Sequence, residues 1–491
     1  VQRPERGARG ARGDTAVSGG STMERTLSNF ARACGGRLEG ADRAFTGVSS
    51  DSRTLSAGDL FVALRGPRFN GNEFIGAALV AAAAGALVDG PQPAALAQII
   101  VADTQAALSR AGHAWREALT IPVIGVAGSN GKTTAKEMTA AILSRAGSTL
   151  ATRGNLNNHI GVPLTLLRLE PAHRFAVIEM GANRAGEVAG LVKAARPTVG
   201  LITNAGAEHL EGFGSLEGVA RAEGEMVAGL AADATAVLNA DDEFVNLWRG
   251  LTGARVVTFG IARDADFRAM DLRTTLGAEG FLTRFRLASP LGQADIELHV
   301  GGRHNVANAL GAAAAAAAAG ATLEHIVAGL GAVRPVPGRL QLKQAACGAW
   351  IIDDSYNANP SSVRAGIEVL ASIEGRRWLV LGDMAELGEF AADAHSQIGA
   401  LARERGVERL LATGPLAARA VERFGSGGQW FPDTEALTRG LLRALAAGKT
   451  AGSGEPWTAS VRLLVKGSRF NRLERVVGAL VGSANDDSDG H

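Results

Sequence analysis

VIGVAGSNGKTTAKEM, Val123 to Met138, decides how the rest of the chain is read. A short apolar run, Val123–Ala127, enters a glycine-rich turn, and a helical pattern opens near Thr133. Strand, turn and helix in that order are the context of a phosphate-binding loop, in which successive backbone N–H groups and a helix N-terminus converge on phosphate oxygens. On this reading Gly128, Ser129, Asn130, Gly131 and Thr134 form the cradle. Lys132 reaches the β- and γ-phosphates of ATP, and Thr133 offers its hydroxyl to Mg2+. The common pattern G-x-x-x-x-G-K-[ST] asks for a glycine where this chain has Val126; the glycines here are Gly125, Gly128 and Gly131. The bland alternative is a glycine-rich turn with a chance lysine, and the ordered strand, G-x-x-G-K-T-T and helix count against it.

Working outward, strand-like runs at Phe175–Ile178, Gly200–Thr203 and Thr235–Leu238 each end in polar or glycine residues. Short, fully apolar strands alternating with helical patterns predict a parallel, doubly wound sheet, whose ligands bind at the carboxyl ends of the strands. Glu179 ends the first of these runs. A carboxylate buried there is costly unless it meets a cation, and Mg2+ on Thr133 would be that cation; a helix-capping glutamate is the alternative. His209 follows the next strand, as a structural hydrogen bonder or as a metal ligand, with Glu223 on the helix after it. GRHNVANAL sets Asn305 and Asn308 on one helix face. Capping is one reading of the pair, and contact with the N6/N7 edge of adenine is the other. The segment 301–321 reads as one Ala-rich helix, and its alanine run, Ala312–Ala319, is read as general composition.

After PVPGRL the pattern repeats at Trp350–Ile352, Trp378–Leu381, Arg409–Ala412 and Val461–Val465. Asp353 and Asp354 end one of these strands, and Lys466, Ser468 and Arg469 another. The fold class expected is α/β in three domains. A small N-terminal α/β domain spans 23–113. A central P-loop ATPase domain with a doubly wound parallel sheet spans 114–337, and a C-terminal Rossmann-like α/β domain spans 338–482. Residues 1–22, rich in arginine and glycine, read as a disordered leader, and 483–491 as a disordered tail. MERTLSNFARACGG reads as a helix from Met23.

With 491 residues, 50 basic and 49 acidic side chains and a net charge of +1, the chain lacks the basic field of a nucleic-acid binder. Its two cysteines, Cys34 and Cys347, match no metal spacing and point to a reducing cytoplasm. The longest apolar stretch, Phe74–Val88, is too short to span a membrane. The chain is read as a monomer.

Taken together the motifs resemble the Mur ligases of peptidoglycan synthesis, from about Met23 to Val481. That family carries G-x-x-G-K-T-T without the distal glycine. SDSRTLSAGDLFVALRG, GNLNNHIGVPLTLL, EMGANRAGE and DDSYNANPSS with LGDMAELGE resemble the branch that joins D-alanyl-D-alanine to a UDP-N-acetylmuramoyl tripeptide. The branch that adds the third residue usually reads D-Y-A-H-T-P-D where this chain has Asp354–Pro360. The resemblance implies an ATP-dependent ligase working through an acyl phosphate, with two Mg2+ ions. It implies that Lys132, Thr133 and Glu179 hold phosphate and the first ion, that His209 binds the second, and that Asn305 and Asn308 contact adenine. Arg339 and Asp354 would reach the nucleotide from the third domain. Ser50, Asp51, Ser52 and Arg53 would lie near the UDP end, and Asn155, Asn157 and Asn158 near the sugar and peptide. Asn357, Asn359 and Lys466 would serve the substrates from the third domain. Relatives carry A-K-A-K-G-E, with a carbamylated lysine, where this chain has ARAEGE. Glu223 is therefore expected to supply that carboxylate directly, as a catalytic metal ligand. Competing readings are another Mur-type or folylpolyglutamate-type ligase with a different amino-acid substrate, a P-loop kinase or nucleotide switch, and a scaffold that kept a nucleotide site.

Overall fold

The computed structural model describes residues 24–67, 69–277, 280–447 and 457–482. The expected leader, tail and helix start at Met23 lie outside the described residues. The first helix, Leu27–Cys34, begins where the Thr26 hydroxyl accepts the Asn29 N–H at 3.3 Å, and it ends at Gly35, whose φ of 72° suits glycine.

Three main sheets carry the chain. The first has five strands in the order Arg37–Glu39, Gln98–Ile100, Gly85–Val88, Leu60–Val62 and Val48–Ser49, parallel except at the Arg37–Glu39 edge. Helix Thr104–Glu117 runs through position 113, packing on Leu27–Cys34 of the first block and on Gly161–Leu166 and Glu187–Ala195 of the second. One apolar core therefore continues across both blocks.

The central sheet has nine strands. Val123–Ala127 lies between Phe175–Glu179 on one side and Val199–Ile202 on the other, with Glu179 in register with Val126 and Ile202 with Ala127. The strand order reverses at Val123–Ala127, which opens a crevice at its carboxyl end. Thr235–Asn239, Arg255–Gly260 and Phe267–Gly277 continue the parallel run. Two antiparallel strands, Gly280–Ser289 and Gly292–Leu298, extend it further. That extension was not legible as part of a parallel sheet, because its strands alternate apolar and charged residues across one wet face.

The Ala-rich helix is Arg303–Ala318, flanked by Gly302 and Gly320 at φ of 93° and 97°. Its alanines are more than general composition: Ala309 and Ala312–Ala316 are buried against helix Lys132–Ala146 and the central sheet. Small side chains let these backbones approach closely, so the run is a packing surface.

The third sheet is parallel in the order Trp350–Asp353, Val461–Lys466, Arg376–Leu381, Arg409–Thr413 and Gly428–Phe431, with Gln341–Gln344 antiparallel at one edge. Among the described residues no helix is long and apolar enough to cross a membrane.

Candidate active site

Hydrogen bonds from the neighbouring strand end clamp the phosphate loop. Ser129 N–H donates to Asn204 O at 2.9 Å, Asn130 N–H to Asn204 Oδ1 at 3.1 Å, and Thr203 Oγ1 to Asn130 O at 2.7 Å. The end of the neighbouring strand thus sets the loop's curvature. Gly131 has a φ of 84°, and a Cβ there would run into the Asn308 amide. Glycine is required at this position on both counts. Asn308 Nδ2 donates to Asn305 Oδ1 at 3.2 Å and Asn305 Nδ2 to Gly301 O at 2.7 Å, so the two amides form a buried chain beneath the loop.

Lys132 Nζ donates to Gly128 O at 2.5 Å, to Ser129 O at 3.0 Å and to Glu208 Oε1 at 3.2 Å. Burial pulls this ammonium's pKa down, but Glu208, Glu223 and Glu179 outweigh burial and the net shift is upward. Thr133 Oγ1 donates to Glu179 Oε1 at 3.2 Å, and Asn157 Nδ2 to the same oxygen at 2.8 Å. The other oxygen, Glu179 Oε2, is buried without a hydrogen-bond partner.

The third sheet closes over the loop from the other side. Arg339 Nη2 donates to Thr133 Oγ1 at 3.1 Å, and its guanidinium lies 4.4 Å from the Tyr356 ring centroid. Asn359 Nδ2 donates to Asn130 Oδ1 at 2.8 Å and to Glu208 Oε2 at 3.3 Å, while its Oδ1 caps helix Pro360–Ala371. Asn130 Nδ2 donates to Ser361 Oγ at 2.9 Å. Lys466 Nζ donates to Asp354 Oδ2 at 2.5 Å and to Asn357 O at 3.0 Å. Burial raises the Asp354 pKa, against the pull of Lys466 and Arg339. Burial and then Lys466 push His304 down to about 4, so this imidazole is neutral.

These groups line one cavity of about 920 Å³ between the sheets. Of the residues expected at the site, it gathers Ser129 to Thr134, Glu179, His209, Asn155, Asn157, Asn158, Asn305, Asn308, Arg339, Asp354, Asn357, Asn359 and Lys466. Ser50, Asp51, Ser52 and Arg53 lie elsewhere, on a turn of the first block where Asp51 grips Arg53 through two nitrogens at 2.9 and 2.7 Å.

Two placements differ from expectation. The His209 ring pairs with Glu386 of the third domain, and both residues hold a left-handed backbone, at φ of 49° and 61°. Glu223 does not line the cavity. Buried beneath the loop, its Oε2 accepts the Gly128 N–H at 2.6 Å. Burial raises its pKa to about 7, with Lys132 opposing and Glu208 adding to the shift. Among the described residues no group of three or more His, Cys, Asp or Glu is arranged to hold a metal. Glu208 and Glu386 carry only slight signals in the sequence: an acid beside His209, and one more glutamate in LGDMAELGE.

Three family descriptions match the chain: Mur ligase family, catalytic domain, over residues 44–130; Mur ligase middle domain, over 126–316; and Mur ligase, glutamate ligase domain, over 338–453. The UDP-N-acetylmuramoyl-tripeptide–D-alanyl-D-alanine ligase of Escherichia coli K12 is 44% identical over 457 residues, covering 93% of this chain and 98% of that protein. The chain belongs to the Mur ligase family. A crystal structure of MurF from Acinetobacter baumannii matches this Mur ligase with a TM-score of 0.86 at 33% identity, covering 94% of this chain and 99% of that one. MurF ligase from Thermotoga maritima, solved in complex with ADP, matches with a TM-score of 0.74 at 25% identity, covering 89% and 97%. A folylpolyglutamate synthase from Mycobacterium tuberculosis shares the fold alone, at 18% identity.

Proposed function

We propose that this Mur ligase joins D-alanyl-D-alanine to UDP-N-acetylmuramoyl-tripeptide at the expense of ATP, making the pentapeptide precursor of peptidoglycan. The relatives' reaction supports this, and one observation carries it in this chain. Side chains of the third domain, Arg339 and Asn359, rest directly on the phosphate loop. A kinase or a nucleotide switch needs the loop and a nearby acceptor; a ligase needs a second wall that presents an amine to the activated acid.

The tripeptide carboxylate attacks the γ-phosphorus, ADP leaves, and the acyl phosphate forms. The dipeptide amine attacks the acyl carbon, its N–H proton is lost to solvent, and phosphate departs as the amide forms. Carboxylate and γ-phosphate repel each other, so cations must surround the point where they meet. Lys132 and Arg339 supply two, and Lys466 stands at the third-sheet strand end. Asn305 and Asn308, whose amides are chained against Gly131, are the pair assigned to adenine. Asn155, Asn157 and Asn158 line the wall assigned to the sugar and peptide. Asn357 is the third-domain amide assigned to the dipeptide, because Asn359 is committed to the loop and to its own helix.

The donor set fits one Mg2+. Glu179 Oε2 is an orphaned buried acceptor beside the Thr133 hydroxyl, and three buried carboxylates face one ammonium there. Thr133 and Glu179 would hold the ion, which when bound polarises phosphoryl oxygens. For a second ion the donors are less complete: Glu386 meets His209 at Nδ1 and leaves Nε2 to ligate, whereas the Glu223 carboxylate is spent on the loop. The monomer reading is tested by light scattering on a sizing column. Dependence on ATP and the unpaired Cys34 and Cys347 support a cytoplasmic enzyme.

The test is phosphate release from ATP and Mg2+ by the purified protein, with UDP-N-acetylmuramoyl-tripeptide and D-alanyl-D-alanine added singly and together. Release is expected with both, alongside a product of pentapeptide mass. Release supported by a single amino acid in place of the dipeptide would assign a different ligase.

A further inference from the structure

Lys132 must reach a phosphate oxygen, yet its three ammonium protons are already matched by three acceptors: Gly128 O, Ser129 O and Glu208 Oε1. Two of these belong to the loop itself. The third is a carboxylate 8% exposed, on a segment that cannot swing freely. That segment is pinned by the Ala205 N–H on Asp242 Oδ2 at 2.9 Å and by the Gly206 N–H on Ser129 Oγ at 2.8 Å, and it turns tightly where the Glu208 N–H meets Gly206 O at 2.7 Å. The remaining oxygen, Glu208 Oε2, accepts the Asn359 amide of the third domain. One carboxylate therefore spans the loop's lysine and the cap of the helix that docks on the loop.

We propose that Glu208 is a positioning residue of this ligase, which parks Lys132 against its own loop and surrenders it only to a competing polyphosphate. This rests on the reading of the loop as the ATP site. The physical case is competition between anions. A phosphate entering beside Lys132 meets Glu208 as a like charge and as a rival for the same protons. The partly desolvated ion pair must then open, at a cost set by its burial. While the lysine passes to phosphate, Glu208 keeps its hold on Asn359, so the third domain stays on the loop as the nucleotide settles. Parking also makes the site selective: a nucleotide without β- and γ-phosphates has nothing to offer in exchange.

Glu208→Gln removes the charge while its amide oxygen still reaches Asn359. Titration calorimetry of the full chain with Mg2+ present would compare ATP with AMP. Relief of one competing charge at hydrogen-bond range is expected to tighten ATP binding roughly tenfold, with AMP affinity unchanged within about twofold because AMP does not draw on Lys132. A purely structural glutamate would weaken both nucleotides alike. Glu208→Ala carries the same test should the glutamine variant melt early. ATP affinity equal to or weaker than that of the parent protein would overturn the proposal while leaving the ATP reading intact. Absence of ATP binding in parent and variants alike would overturn both.

Discussion

Glu179, Glu208 and Glu223 converge electrostatically on Lys132, and each is nearly fully buried. Lys132→Ala removes the cation that offsets them and the group aimed at the transferred phosphoryl. Its phosphate release is expected to fall roughly 10²- to 10³-fold, the usual cost of losing one preorganised charge at a reacting centre. Glu223 allows a sharper test because its carboxyl titrates at about 7 in the fold, against an ordinary 4.5. Below the lower value it is protonated in both folded and unfolded states. Between the two, the unfolded chain sheds its proton while the fold retains it, so stability falls as pH rises; above the higher value the penalty is constant. Glu223→Gln stays neutral and can still accept the Gly128 N–H. Its melting temperature, taken relative to the parent, is expected to rise from pH 5 to pH 8 and then level off. The full difference is on the order of 3 kcal/mol, and a pH-independent difference would refute the burial argument.

At the level of elements, the site depends on one strand–loop–helix unit and on how the neighbouring strand end clamps it. Gly131→Ala forces a side chain into a left-handed backbone at a φ of 84° and into the Asn308 amide. Strain of this kind costs about 1–3 kcal/mol, and the displaced Asn308 adds to it. Calorimetric titration is expected to show ATP binding lost, with a lower melting temperature; retained affinity would mean that the loop tolerates a different curvature. The strand at Val123–Ala127 and the helix after it were legible because their apolar spacing and glycines are contained within sixteen residues. Glu179 was legible for a similar reason, since a carboxylate closing an apolar strand is conspicuous. The alanine run of helix Arg303–Ala318 was misjudged: composition says nothing of what a helix lies against, and only the packing on Lys132–Ala146 turns small side chains into an interface.

Across the whole molecule, contacts between the third domain and the central one around the cavity include Asn359 and Ser361 on Asn130, Arg339 on Thr133, and Glu386 on His209. The first two touch the loop itself, and the third is a latch at its rim. Glu386→Gln weakens the latch and leaves the loop untouched. The radius of gyration from small-angle scattering is expected to rise in the variant, and turnover to fall a few-fold, as for other partly exposed polar contacts between domains. An unchanged scattering profile would show that the domains stay docked without the latch.

The sequence by itself determined the elements and the chemistry of the loop. Periodicity and glycine placement act over a few residues, and a phosphate cradle is built from consecutive N–H groups. It also marked the residues that close each strand, which a parallel sheet gathers at one edge whatever its strand order. Tertiary structure decided which of those residues face each other. His209 was expected on a metal and stands on Glu386; Glu223 was expected on a metal and supports Gly128 from below; Glu208, unremarked in the sequence, bridges Lys132 and Asn359. Each of these pairings joins residues many positions apart, and one carboxylate looks like another along the chain. Its partner is chosen by burial and by the docking of a second sheet, and neither leaves a mark in local sequence.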